Sequence, residues 1–219
     1  MATMEAGPAH GPASGMPEVP DDAQLWLVRH GETEWSASGK HTSVTDLPLT
    51  VDGERQARAL APMLADLGPA LVLSSPRKRA LDTARLAELD VDGVTEDLAE
   101  WNYGEYEGRT TQDIRDEQPG WSIWTAGAPG GETGEQVAER ADRVLLRAAE
   151  ALADGPVVLI GHGHFSRALG ARWIEQPVSA GARLLLGTAA PSILGAQYGV
   201  RAIVRWNLPN PAAAPARAH

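Results

Sequence analysis

Short apolar runs alternate with stretches of helical spacing along most of this chain. Leu25, Trp26, Leu27 and Val28 are consecutive apolar residues, the pattern of a strand buried on both faces. They predict a first strand over Gln24–Arg29. Ser36–Pro48 is polar and reads as a loop. In Val51–Leu67 the apolar positions Ala57, Leu60, Ala61 and Leu64 fall on one helical face. Ala70–Ser74 is a second buried strand, bounded by Pro69 and Pro76. Pro76–Leu89 predicts a helix with Ser75 as N-cap and proline at its first position. Gly93–Glu96 fits a short strand. Thr110–Glu117 fits a short helix capped by Thr110 and stopped by Pro119. Thr133–Ala153 is the longest helical pattern. Pro156–Gly161 is the clearest buried strand, and Phe165–Glu175 is helical again. Ile193–Tyr198 and Val200–Trp206 form a closing hairpin about Gly199.

Strands that alternate with helices predict an α/β fold, a three-layer αβα sandwich whose mostly parallel sheet carries helices on both faces. No internal repeat is present. The length of 219 residues fits one domain. Residues 1–22, rich in Ala, Gly and Pro, read as a disordered leader without the basic and apolar regions of a signal peptide. Residues 208–219 read as a second loose tail, which leaves 23–207 as the folded domain. The formal net charge is −10, which argues against nucleic acid or an anionic membrane surface as a partner. The chain has no cysteine, so disulfides and thiolate metal sites are excluded. No apolar run is long enough to span a bilayer, and a cytoplasmic location follows by default. Oligomeric state is left open, with a homodimer through the sheet edge or the hairpin as the assembly considered.

Four segments at or just past strand ends carry unusual chemistry. Arg29-His30-Gly31-Glu32 follows the first strand. Arg77, Lys78 and Arg79 stand at a helix start, where cations oppose the helix dipole and a bound phosphate would explain them. Glu100 lies among Trp101, Asn102 and Tyr103. A carboxyl group in an apolar setting keeps its proton more readily, which suits a general acid. Gly161-His162-Gly163-His164 follows the Pro156 strand. In a parallel sheet His30 and His162 would share one edge, where two arginines and a carboxylate join them. Such a set suits an anionic substrate and a nitrogen nucleophile.

In order and spacing these segments resemble the histidine phosphatase superfamily, the phosphoglycerate-mutase-like enzymes. The matching residues are Leu27-Val-Arg-His-Gly-Glu-Thr-Glu-Trp35, Asp46-Leu-Pro-Leu-Thr-Val-Asp-Gly53, Ser74-Ser-Pro-Arg-Lys-Arg-Ala-Leu-Asp-Thr-Ala84, Leu98-Ala-Glu100, Gly104-Glu-Tyr-Glu-Gly108 and His162-Gly163. The finer pattern, with Trp35-Ser36, Trp121-Ser-Ile-Trp124 and His162-Gly-His164, is similar to actinobacterial acid phosphatases and the fungal sedoheptulose-bisphosphatase group. The resemblance implies a phosphohistidine formed on His30. It implies that Arg29, Arg79 and His162 hold the phosphoryl oxygens and that Glu100 protonates the leaving alcohol. No metal and no cofactor is implied. On the substrate side it points to Ser36, Thr42, Ser43, Tyr103, Gly163 and His164. Many relatives have Asn at position 36, and His41-Thr42-Ser43 replaces a stretch that usually includes Gly. His164 stands where mutases have Asn, and either reaches the substrate or orients a neighbour.

The segment after Glu100 is short and holds few cations, unlike the insertion of the mutases. Aromatic Trp101, Tyr103, Trp121 and Trp124 suit a sugar ring or an aromatic ester. The expectation is therefore phosphomonoester hydrolysis of a phosphorylated small molecule, a sugar phosphate or bisphosphate, or broad acid phosphatase activity. The alternatives are mutase-type transfer or a non-catalytic phospho-ligand module. A dinucleotide site at Gly161-His-Gly-His-Phe-Ser lacks its third glycine. A metal on His162 and His164 would meet repulsion from Arg29 and Arg79.

Overall fold

The computed structural model describes residues 16–212. The elements in chain order are β1 (Leu25–Arg29), α1 (Glu34–Ser38), α2 (Val51–Arg58), α3 (Ala61–Leu64), β2 (Leu71–Ser74), α4 (Lys78–Leu86), β3 (Gly93–Val94), α5 (Thr111–Glu117), α6 (Ile123–Ala126), α7 (Gly134–Ala151), β4 (Val157–Gly161), α8 (Gly163–Trp173), β5 (Pro191–Gln197) and β6 (Val200–Arg205). The strands form one sheet in the order β3-β2-β4-β1-β5-β6. β3, β2, β4 and β1 run parallel to one another, while β5 pairs antiparallel with β1 and β6 antiparallel with β5.

Side-chain alternation along β1 divides the core in two. Leu25 and Leu27 face a cluster with Val144, Leu145, Phe165 and Trp173 from α7 and α8. Trp26 and Val28 face the opposite cluster, with Leu60, Leu64, Ala80 and Ala84 around α2 to α4. Helices thus cover both faces, which is why β1 and β4 carry no polar face. The expected three-layer α/β architecture is the one found.

Local departures have local causes. The predicted helix over Val51–Leu67 is broken into α2 and α3, with Pro62 in the first turn of the second. Proline has no N–H to donate and clashes with the carbonyl four residues back. The loop expected at Ser36–Pro48 begins as helix α1, because Thr33 and Ser36 form a capping box. Helix α4 starts at Lys78 with no side-chain cap, so Ser75 is not the N-cap. The β5–β6 turn places Tyr198 and Gly199 at positive φ, 53° and 75°, the conformation a two-residue hairpin turn requires.

The packed chain extends past both expected domain boundaries. Residues 1–15 and 213–219 lie outside the described residues. Val19 is buried, the Pro17 carbonyl accepts from Arg201 and Asp21 accepts from the Gly199 N–H. At the other end Asn210 is buried and donates from Nδ2 to the carbonyls of Gln56 and Ala189, each at 2.9 Å. Ala189 in turn donates its N–H to the carbonyls of Arg29 and His30. Among the described residues no helix is long and apolar enough to cross a membrane.

Candidate active site

Three adjacent parallel strands, β2, β4 and β1, end side by side, with Ser74 paired to Ile160 and Arg29 to Gly161. The residues that follow them are Ser75, His162 and His30. The two imidazoles lie edge to face, 5.2 Å between centroids. Close backbone packing fixes this corner. A Cβ on Gly31 would lie 2.4 Å from the Gly53 carbonyl oxygen, and one on Gly163 would lie 3.3 Å from Arg29 Nε.

His30 Nδ1 is 2.7 Å from the Gly31 carbonyl oxygen. A carbonyl only accepts, so Nδ1 carries the hydrogen and Nε2 keeps its lone pair. His162 Nε2 is 2.7 Å from Ser75 Oγ. The Arg77 N–H lies 3.4 Å from that same oxygen; with the Ser75 hydroxyl donating to Nε2, the His162 hydrogen stands on Nδ1. Arg29 Nη1 donates to the Leu186 carbonyl at 2.7 Å. Arg79 donates from Nη1 to the Thr45 carbonyl, and from Nη2 to those of Thr42 and Ser43. After these bonds three buried side-chain nitrogens have no partner among the described residues: Arg29 Nε, Arg79 Nε and His162 Nδ1. Buried donors are rarely left unmade in folded proteins, and three together around one imidazole are an arrangement that could meet an anion.

Burial, and then the charges of Arg79 and Arg29, hold His30 well below the usual imidazole range. Burial acts first on His162 too, followed by Arg79. His164 is lowered by burial and then Arg167. His41 is pushed down by burial to about 4, against an opposing effect of Glu107. All four imidazoles are therefore neutral in the folded protein at pH 6, while the unfolded chain takes up protons below its ordinary value near 6.5. The unfolded state then binds more protons, so stability falls as pH drops below that value. Each such histidine contributes up to about 1.4 kcal/mol per pH unit. The expected result is a melting temperature that drops between pH 7 and pH 5 in phosphate-free buffer. A flat profile there contradicts neutral burial of the four rings.

Glu100 is buried, but not in the apolar setting expected for it. Oε1 accepts the N–H groups of Trp101 and Phe165, and Oε2 accepts that of His164, at 2.8–3.0 Å. Two of these donors belong to the first turn of α8, a favourable place for a carboxylate. Trp101 points into the core and donates to the Glu132 carbonyl.

A cavity of about 600 Å³ opens onto Arg29, His30 and Glu100 and is lined further by Ser36, Thr42, Tyr103, Gly163 and His164. Arg79 and His162 are wholly buried and do not form its wall. Ser36 lines the cavity with its hydroxyl engaged at the Thr33 N–H and carbonyl. Ser43 does not line it. Its hydroxyl donates to Glu107, because the chain turns there to pack on residues 107–109, and this corrects its assignment to the substrate side. Tyr103 OH lies 2.6 Å from His164 Nδ1, so His164 orients a neighbour while lining the cavity. Of the cations at the start of α4 only Arg79 turns inward. Arg77 pairs with Glu96 and Lys78 with Asp82.

Three cavity cations escaped the sequence reading of the site, Lys40, Arg115 and Arg167. Arg167 lies over the Trp124 ring at 4.7 Å, and Arg115 donates to the Trp121 carbonyl. None of the three pairs with a carboxylate among the described residues. The signal for Arg167 was its place three residues after His164 on one helix, which puts both on one face. Among the described residues no group of three or more His, Asp or Glu side chains is placed to hold a metal ion.

Residues 25–209 match the model of the histidine phosphatase superfamily, branch 1. The chain belongs to this family. It is 45% identical over 196 residues to an acid phosphatase of Mycobacterium tuberculosis, covering 87% of this chain and 97% of that protein. It is 34% identical over 179 residues to the sedoheptulose 1,7-bisphosphatase of Saccharomyces cerevisiae, covering 67% of this chain and 66% of the yeast protein. A solved mycobacterial glucosyl-3-phosphoglycerate phosphatase in complex with VO3 superposes with a TM-score of 0.75 at 30% identity, over 85% of this chain and all of that one (100%). As a histidine phosphatase the chain is an enzyme of phosphate ester chemistry.

Proposed function

We propose that this histidine phosphatase hydrolyses sugar phosphates, bisphosphates among them, through a phosphohistidine on His30. The observation that carries the reading is the set of three unpartnered buried donors, Arg29 Nε, Arg79 Nε and His162 Nδ1, around His30. Fixed donors in a dry site stabilise charge that develops in the transition state at little reorganisation cost.

The steps follow from the atoms. The lone pair of His30 Nε2 attacks phosphorus in line with the ester oxygen, and the P–O bond breaks as the P–N bond forms. Glu100, whose two oxygens accept three N–H groups in the free enzyme, takes up a proton with the monoanionic ester and passes it to the leaving alkoxide. The Nδ1–H to Gly31 O bond steadies the ring as it becomes phosphorylated. In the second step Glu100, now a carboxylate, takes a proton from water. The hydroxide formed attacks phosphorus, the P–N bond breaks, and inorganic phosphate leaves with His30 neutral again. Water and ester in, alcohol and phosphate out, balance over the cycle.

The substrate class rests on the rest of the cavity. Tyr103, Trp121 and Trp124 give faces for a sugar ring. Arg115 and Arg167 offer charge to a second anionic group. The names of the relatives, a sedoheptulose bisphosphatase and a glucosyl-3-phosphoglycerate phosphatase, are those of enzymes of such esters. Arg167→Met is expected to raise KM for a sugar bisphosphate about tenfold more than KM for p-nitrophenyl phosphate, the worth of one charged hydrogen bond. Equal changes for both esters would remove the second anion from the proposal.

The deciding assay is phosphate release, in the presence of EDTA, from p-nitrophenyl phosphate and a panel of sugar mono- and bisphosphates. Turnover that EDTA leaves intact supports hydrolysis on histidine. No turnover on any ester, with activity on 3-phosphoglycerate as a mutase, would replace the reading.

A further inference from the structure

Among the charged neighbours Arg79 acts most strongly on His30 and His162, yet its own helix does not hold its guanidinium. The carbonyl oxygens of Thr45, at 2.9 Å, Ser43, at 3.2 Å, and Thr42, at 3.3 Å, take its two Nη groups. That fork leaves Nε unpartnered. The aim of Nε therefore depends on where residues 42–45 stand, and those residues belong to no helix or strand.

The loop's side-chain anchors are the Glu107 carboxylate and Arg77, whose Nε donates to the Ser43 carbonyl at 3.3 Å. Glu107 accepts the Ser43 N–H on both oxygens, at 2.9 and 3.0 Å, and the Thr45 N–H on Oε1 at 3.0 Å. It also takes the Ser43 hydroxyl on Oε2. Backbone bonds fasten the same corner, from His41 N–H to the Arg109 carbonyl and from Gly108 N–H to the His41 carbonyl, both 2.8 Å. Asp46 lies 4.0 Å from Arg79 Nη1, but its Oδ1 also accepts the Lys78 N–H at 2.8 Å.

We infer that Glu107 is a positioning residue for phosphoryl transfer, setting the aim of Arg79 Nε through the carbonyls of residues 42–45. This rests on the role proposed above for Arg79. The arrangement requires a carboxylate. Two peptide N–H groups and a hydroxyl all need acceptors, and a carboxamide would offer one oxygen and press its own N–H groups against donors. A displacement of about 1 Å in a catalytic group is enough to cost about a hundredfold in rate.

The test is a double-mutant cycle of Glu107→Gln and Arg79→Lys on p-nitrophenyl phosphate, with orthovanadate inhibition and thermal melting measured for each protein. Glu107→Gln alone is expected to lower kcat about 10- to 100-fold and to weaken vanadate by a similar factor. In the Arg79→Lys background the same change is expected to cost less than about threefold, because the group it aims is gone. The inference is overturned if the two losses multiply independently. It is also overturned if Glu107→Gln lowers only the melting temperature and keeps kcat and vanadate affinity. If Arg79→Lys has no effect by itself, the role of Arg79 fails first, and that of Glu107 with it. Ser43→Ala serves if Glu107→Gln does not fold. It removes one of the bonds, should cost about three- to tenfold, and should lose its effect in Arg79→Lys.

Discussion

His30→Ala is expected to lower kcat for every phosphate ester by at least about 10⁴-fold, the scale seen when a nucleophile is removed from a preformed site. The fold should survive, since the lost ring makes one side-chain hydrogen bond, to Gly31. Arg29, Arg79 and His162 remain, so orthovanadate or phosphate should still raise the melting temperature. Binding without turnover separates the nucleophile from the groups that hold the phosphoryl oxygens. If His30→Ala keeps more than about a tenth of wild-type turnover, His30 is not the attacking atom.

Glu100→Gln is expected to depend on the leaving group. An alkoxide leaves only as it is protonated, so release of a sugar from its phosphate should slow about 10³-fold. p-Nitrophenolate needs no proton to leave. With that ester the first turnover should stay fast, and the slow second step, which lacks its base, should then show as a burst of about one nitrophenolate per enzyme. Stopped-flow absorbance reads the burst directly. Equal slowing of the first turnover for both esters, with vanadate affinity and melting temperature unchanged, would take the acid role away from Glu100.

The sequence marked most of the core of this site because its residues sit at strand ends, where backbone geometry leaves little freedom. A parallel sheet puts the ends of both strands on one edge, which made His30 and His162 legible as neighbours; the direct pairing of β1 with β4 is what the structure adds. Arg79 stood out as a cation at a helix start. What stayed hidden depends on loops that meet only in the folded molecule. Ser43 looked like a substrate contact because the chain near position 42 does face the cavity, but its side chain turns the other way to Glu107. Ser75 reads as a helix cap by residue type, and its hydroxyl goes instead to His162, 87 residues away. Nothing in local composition distinguishes these partners. The Pro-rich end of the chain reads as loose for the same reason, since Asn210 finds its acceptors in Gln56 and Ala189.

The strand order has a consequence for synthesis. β1 and β2 emerge early but never touch; β4 lies between them, and β5 on the other side of β1 comes later still. On the ribosome, β1 therefore waits with both edges open until residues 157–161 are made. Closing a loop of more than a hundred residues before these contacts form is slow compared with local helix formation. The catalytic corner is therefore assembled late, and the nascent chain carries an apolar, unpaired Leu25–Arg29 segment that a chaperone has reason to cover.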